Sequence, residues 1–299
     1  MAGDEDVVLN SLDSAYTPGH RGRDWLKRRS DVETVELETL ATLPSPVISH
    51  GNLEIAWLGY ATVRLAADDA VIYLDPGRYG VLDDYRDGSG ATTDDFGPES
   101  QALGDGDVVC VSHDHHYDTD GIRTVAGPDA TLVAFEGINT HRIDRDVERL
   151  AELPFEVRRV DDETDILVGD AIVRTTPAYN DPEGPHVRSN GEPYHPEGFG
   201  CGFLVTLGGT TVYWPGDTDV LDGHGRLDVD VFCPPIGGTF TMDRHAAAEL
   251  AESLDPELVV PVHYDTFEAI ETDAAAFVED CRSRGVDAVL DEDEDGGRQ

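Results

Sequence analysis

The chain has 299 residues, 39% of them hydrophobic, enough for one large α/β domain with a sizeable core and too apolar for a wholly disordered chain. With 62 acidic against 21 basic residues, the formal net charge is −41. A surface of that sign repels nucleic-acid phosphates and anionic lipid, which argues against both as partners.

Residues 1–50 are polar and mixed, with a short amphipathic stretch near "RDWLKRR", and read as an arm or extra element on a single domain over 51–299. From residue 53 the runs "LEIAWL", "ATVRLA", "AVIYLDP", "DVVCVS" and "TLVAF" are strand-like. Ile143, Val147 and Leu150 recur at helical spacing and predict a helix over 142–151. The second half repeats the texture with "AIVRTT", "GFLVTLGG", "TTVYW", "VDVFCPP" and "LVVPVHY". "GGTTVYW" after "GFLVTL" predicts a hairpin with a Gly-Gly turn. One helix is expected over 243–253 with Asp243 as N-cap, and another over 272–284, opening at Thr272 and stopping at Gly285. Two β-rich halves with helices attached predict two sheets packed face to face, helices outside. Residues 89–100 and 180–200 are Gly/Pro/Asp-rich loops, long enough to serve as lids or site walls.

Cys110, Cys201, Cys233 and Cys281 are far apart and form no C-x-x-C pair, so they read as thiols rather than a disulfide framework. The N-terminal "MAGDEDVVLN" has neither the basic flank nor the apolar core of a signal peptide, and no apolar window approaches a membrane span. A cytoplasmic location is expected. Acidity of this degree resembles that of cytoplasmic proteins from extreme halophiles. A homo-oligomer is compatible with the sequence.

The chemistry concentrates in "VVCVSHDHHYDTDG". His113 and His115 leave a strand two residues apart, a spacing that suits two ligands of one metal, and Asp118 and Asp120 offer hard oxygen donors in the turn behind them. Asp217 ends another strand in "VYWPGDTD", and His263 another in "VVPVHYDTF"; the glycines of "PIGGTFTMD" permit close backbone approach.

On these motifs, with "IAWLGYATVRL" and "VIYLDPG", the chain resembles the metallo-β-lactamase superfamily over about residues 53 to 270, and within it the hydrolases related to the ascorbate-6-phosphate lactonase group. The resemblance implies a four-layer αββα sandwich with one or two divalent ions, Zn or Mn, in a cleft at the sheet edges. It implies His113 and His115 as ligands of one metal, Asp217 as the carboxylate between two metals, His263 as a ligand of the second, and Asp75 as an acid that orients a ligand. The family reads H-x-H-x-D-H, whereas here Tyr117 and Asp118 stand at the last two places. Either Asp118 is the second-metal carboxylate or it fills the histidine's place; His116 compensates only if the loop twists. In both cases the second position lacks one expected ligand.

The family's third histidine falls near Asn180. His195 is the preferred substitute, His186 the next. His141, His224 and His245 read as surface or helix residues. Tyr60 stands where relatives often have histidine.

The implied activity is hydrolysis of a small-molecule ester, lactone or phosphate-type bond, with Asp118 and Asp217 as the carboxylates that orient water and pass its proton. A catalytically impaired metal- or ligand-binding protein on the same fold is the alternative.

Overall fold

The computed structural model describes residues 47–68, 70–83 and 103–290. Of the expected arm over 1–50, residues 1–46 lie outside them, as does the loop 89–100. Two sheets form. The first runs β1 (Ile48–His50), β2 (Leu53–Gly59), β3 (Thr62–Ala67), β4 (Ala70–Leu74), β5 (Gly106–Val111), β6 (Ala126–Phe135) and β7 (Glu156–Val160), in chain order across the sheet. Pairing is antiparallel up to β4 and parallel from β4 to β7.

The second sheet contains β8 (Asp165–Val168), β9 (Ala171–Ala178), β10 (Gly200–Leu207), β11 (Thr210–Trp214), β12 (Val231–Phe232) and β13 (Leu258–Val259). Here β8 to β11 are antiparallel and β11 to β13 parallel. Gly208 and Gly209, at φ 57° and 84°, make the tight turn between β10 and β11.

One hydrophobic cluster takes buried residues from both sheets, among them Trp57, Tyr73, Val109, Phe203, Trp214 and Phe232, so the inner faces share a core. The four cysteines are free and buried. Among the described residues there are three α-helices: α1 (Thr119–Val125), α2 (Arg244–Leu254) and, after the last strand, α3 (Ala274–Ser283). Helix α2 is capped by Asp243, whose side chain accepts from His245 N and Ala246 N. Helix α3 is capped by Asp273 rather than Thr272, through Ala276 N. No helix among the described residues is long and apolar enough to cross a membrane.

The helix expected over 142–151 does not form; two single 3-10 turns, Thr140–Arg142 and Leu150–Glu152, flank an irregular stretch. Ile143 and Val147 do pack against the core, but Arg145 spends its guanidinium on the carbonyls of Tyr117, Asp114 and His115. Tertiary bonds replace the helix's own, so this segment clamps the histidine loop.

The parallel strands of both sheets end on one side, where strand-end residues meet. An antiparallel bridge between His113, just after β5, and Gly200, at the start of β10, joins the sheets there. A Cβ on Gly200 would lie 2.8 Å from the His113 Cβ, so only glycine permits this approach.

Candidate metal centre

Five histidines and one aspartate converge at these strand ends. His113 follows β5, His115 and His116 the next turn, Asp217 follows β11, His263 the extended run after β13, and His195 comes from the loop between β9 and β10. The Asp217 carboxylate stands between two groups of imidazoles. Its Oδ2 lies 3.7 Å from His113 Nε2 and 3.3 Å from His195 Nε2. Its Oδ1 lies 3.5 Å from His116 Nε2 and 3.4 Å from His263 Nε2. Among the described residues, two sets have ligand atoms within 4.8 Å of one another: His113, His115 and His195, and His113, His116 and Asp217.

The hydrogen bonds decide which ring nitrogens face the centre. Asp75, after β4, accepts from Ser112 N, Ser112 Oγ and His116 Nδ1 at 2.7, 2.6 and 2.8 Å. The Ser112 hydroxyl, having donated to Asp75, accepts from His113 Nδ1 at 2.8 Å. His195 Nδ1 faces two oxygens, Asn180 Oδ1 and the Phe240 carbonyl, each at 3.2 Å. Nδ1 is therefore the protonated nitrogen in His113, His116 and His195, which leaves Nε2 with its lone pair turned inward.

A divalent cation fits this arrangement on three counts. His113 Nε2, His116 Nε2, His263 Nε2 and Asp217 Oδ1 are buried and have no hydrogen-bond partner, an expensive condition unless another group satisfies them. The four separations around Asp217 are long for hydrogen bonds but match the edge of a tetrahedron with bonds of ~2.1 Å, roughly 3.4 Å. His195 Nε2 also lies 3.0 Å from His115 Nδ1, a nitrogen that a cation between them would share.

Electrostatics points the same way. Burial, with repulsion from neighbouring imidazoles, holds His113, His116 and His195 well below the usual histidine range. Burial pushes His115 and His263 down to about 4. All five are neutral at pH 7, the ligating form. Burial pushes Asp217 well above the usual carboxylate range and Asp75 up to about 7, the latter against two opposing bonds from Ser112. The backbone is strained in the same place: Tyr60, Asp75, Arg78, Tyr79 and His263 all have left-handed φ between 44° and 67°.

His113, His115, His195, Asp217 and His263 are thus brought together, and Asp118 is not. Asp118 caps α1, accepting from Asp120 N and Gly121 N, while its Oδ2 takes Arg78 N at 2.7 Å. The reason is Tyr117, whose fully buried ring is anchored by its hydroxyl donating to the Glu148 carbonyl. With Tyr117 in the core, the chain turns His116 towards Asp217 and Asp118 away. His116 takes the place assigned to Asp118. Asp118→Ala is accordingly expected to cost about 1 kcal/mol of stability and to leave metal content unchanged; a melting curve and elemental analysis of the same sample check this.

The other candidates fall outside. Asn180 supports His195 and does not face the centre. His224 is buried rather than at the surface, with Nε2 donating to the Pro177 carbonyl, while His141 and His245 are exposed. His186 is buried against Asp219 and the Gly238 carbonyl. Its hydrogen bond to Asp219, with smaller contributions from Gly238 and Asp243, raises it above the ordinary value of 6.5 against the burial penalty. Its stabilisation is then complete below that ordinary value and lost as pH rises through the folded value. Between pH 6 and 9 the wild-type melting temperature should fall relative to that of His186→Gln, read by parallel thermal melts.

Tyr60 covers the centre, its ring 4.5 Å from that of His263 and 5.0 Å from that of His116. The half-buried Phe199 ring lies beside His115, at 5.0 Å. His115 is the one histidine of the five that is half-buried rather than buried, which marks the open side.

The sequence profile described as Beta-lactamase superfamily domain matches residues 54–263. Over 123 residues the chain is 37% identical to a UPF0173 metal-dependent hydrolase of Carboxydothermus hydrogenoformans, covering 40% of this chain and 52% of that protein. It is 43% identical over 90 residues to a UPF0173 metal-dependent hydrolase of Salinibacter ruber, 29% of this chain and 40% of that one. The chain thus spans about half, or less, of the length of these curated relatives. In fold it is similar to Igni18, a metallo hydrolase from the archaeon Ignicoccus hospitalis, with TM-score 0.55 and 22% identity over 80% of this chain and 94% of that one. It is likewise similar to YhfI of Bacillus subtilis, a metallo-beta-lactamase fold protein, with TM-score 0.54 and 11% identity over 80% and 96%.

Proposed function

Given that the chain belongs to the β-lactamase superfamily, we propose that it is a metal-dependent hydrolase of a small molecule with an ester, lactone or phosphate-type bond. The observation that carries this reading is the Asp217 carboxylate, buried between two groups of neutral imidazoles, with the inward nitrogens of His113, His116 and His263 left without a hydrogen-bond partner. His113, His115 and His195 would hold one divalent cation, His116 and His263 a second, with Asp217 shared. Nitrogen and oxygen donors without thiolate suit Zn or Mn. Such a cation polarises a substrate oxygen and makes water nucleophilic near neutral pH.

The chain's own residues do the rest. Asp75 and Ser112 fix the tautomers of His116 and His113. Asp217 would orient the attacking water, receive its proton and pass it to the leaving group. Tyr60 keeps bulk water from the His116 and His263 side, and substrate approaches on the His115 side, past Phe199. The net charge of −41 disfavours nucleic acid as substrate, and a cytoplasmic location agrees with four buried free thiols.

The test is a panel of lactones, esters and phosphodiesters assayed in high salt with added Zn or Mn. Turnover that disappears in His113→Ala supports the proposal. Tight metal retention without turnover of any class would favour a binding protein on the same fold.

A further inference from the structure

His195 differs from the other metal-facing histidines in coming from a long loop rather than a strand end, so something must hold it. Three side chains outside the centre do so in series. The first is Asn180, fully buried. Its Oδ1 accepts from both His195 N and His195 Nδ1, at 2.9 and 3.2 Å, and its backbone N donates to the His195 carbonyl at 2.8 Å. Its Nδ2 donates to Asp219 Oδ1 at 3.2 Å and to the Phe240 carbonyl at 3.0 Å. Two donors face one end of the amide and two acceptors the other, so the network itself fixes the amide's orientation.

The second is Asp219, which also accepts from Asp181 N at 2.8 Å and from His186 Nδ1. The third is His186, whose Nε2 lies 2.9 Å from the Gly238 carbonyl. The Asp219 carboxylate and the Gly238 carbonyl both only accept, so both ring nitrogens of His186 carry protons. A fixed imidazolium thus ends the series, bracing Asp219 against the Gly238 carbonyl of the facing loop.

We infer that His186, Asp219 and Asn180 form a positioning relay that sets the tautomer and direction of His195 as a metal ligand. The inference rests on the proposed metal reading of His113, His115 and His195. It makes Asn180, which stands where the resemblance places the family's histidine, the support of a ligand supplied 15 residues later. The relay joins three loops, those carrying Asn180 to His195, Asp217 to Asp219, and Gly238 to Phe240. The loop of the third ligand is thereby tied to the loop that carries the shared carboxylate.

The test is cobalt titration of chelator-treated full-length protein, reading dissociation constants and visible d–d absorption. Wild type, His195→Ala, Asn180→Ala and Asp219→Ala are compared. Asn180→Ala and Asp219→Ala are expected to weaken one cobalt position about 10–100-fold, to shift its absorption as His195→Ala does, and to spare the other position. If Asp219→Ala does not fold, Asp219→Asn keeps the shape and one acceptor oxygen and should show the same spectral change at a smaller loss of affinity. A loop support without effect on the ligand would lower stability and leave the cobalt spectrum and affinity unchanged; that result overturns the relay while His195→Ala still weakens binding. If His195→Ala has no effect on cobalt, or wild type takes up none, the metal reading itself fails at this ligand and the relay with it.

Discussion

Asp217→Asn is expected to abolish turnover and to weaken metal retention at both positions, by more than the roughly 10–100-fold typical of residues that only support a ligand. The two carboxylate oxygens are divided between the two imidazole groups, Oδ2 towards His113 and His195 and Oδ1 towards His116 and His263. Among the described residues no other carboxylate reaches the centre: Asp75 is engaged by Ser112 and His116, and Asp118 by α1 and Arg78. The same substitution should act in the opposite direction on metal-free protein. Burial holds Asp217 well above the usual carboxylate range, so the folded state keeps a proton that the unfolded chain releases. Metal-free wild type therefore loses stability as pH rises from the unfolded value towards the folded one, and Asp217→Asn removes that loss. At pH 8 the metal-free variant should melt above metal-free wild type, and added metal should reverse the order. Thermal melts with and without chelator read both effects.

Gly121→Ala should be among the most damaging single-methyl changes in the chain. A Cβ at Gly121 would lie 2.4 Å from the Pro76 carbonyl oxygen and 2.7 Å from Gly77 Cα, both backbone atoms that cannot swing aside. Helix α1 would have to retreat from the loop after β4, drawing Asp118 off Arg78 N. Overpacking of this kind costs about 2–3 kcal/mol, which in a domain of this size lowers the melting temperature by roughly 4–12 °C. Because the displaced loop begins at Asp75, metal affinity should fall with stability. Differential scanning calorimetry and metal content on one preparation test the link; a full loss of stability with intact metal binding would separate the two.

What could be read from sequence follows the periodicity of strands. His113, His115, Asp217 and His263 each stand just beyond a short apolar run, so their arrival at one sheet edge follows from the chain leaving the sheet there. The Gly-Gly hairpin and the Asp243 cap were local and equally readable. His116 was harder. Its inward turn depends on Tyr117 entering the core and bonding the Glu148 carbonyl 31 residues away, a contact that no local spacing contains. The short helix α1 was hidden by Gly121 in its first turn, which lowers helix propensity but is required by the approach to Pro76. The helix expected over 142–151 failed for the converse reason: its apolar spacing is real, with Leu150 buried and Ile143 and Val147 half-buried against the core, but Arg145 is committed to the histidine loop. His195 could be named from its place before a strand; its support by Asn180, Asp219 and His186 crosses three loops and needed the fold.

The most direct measurement is metal content per chain of protein purified in high salt without chelator, for wild type and His116→Ala together. Two equivalents in wild type and one in His116→Ala are predicted. No metal in wild type, or two equivalents retained without His116, would contradict a centre built from these residues.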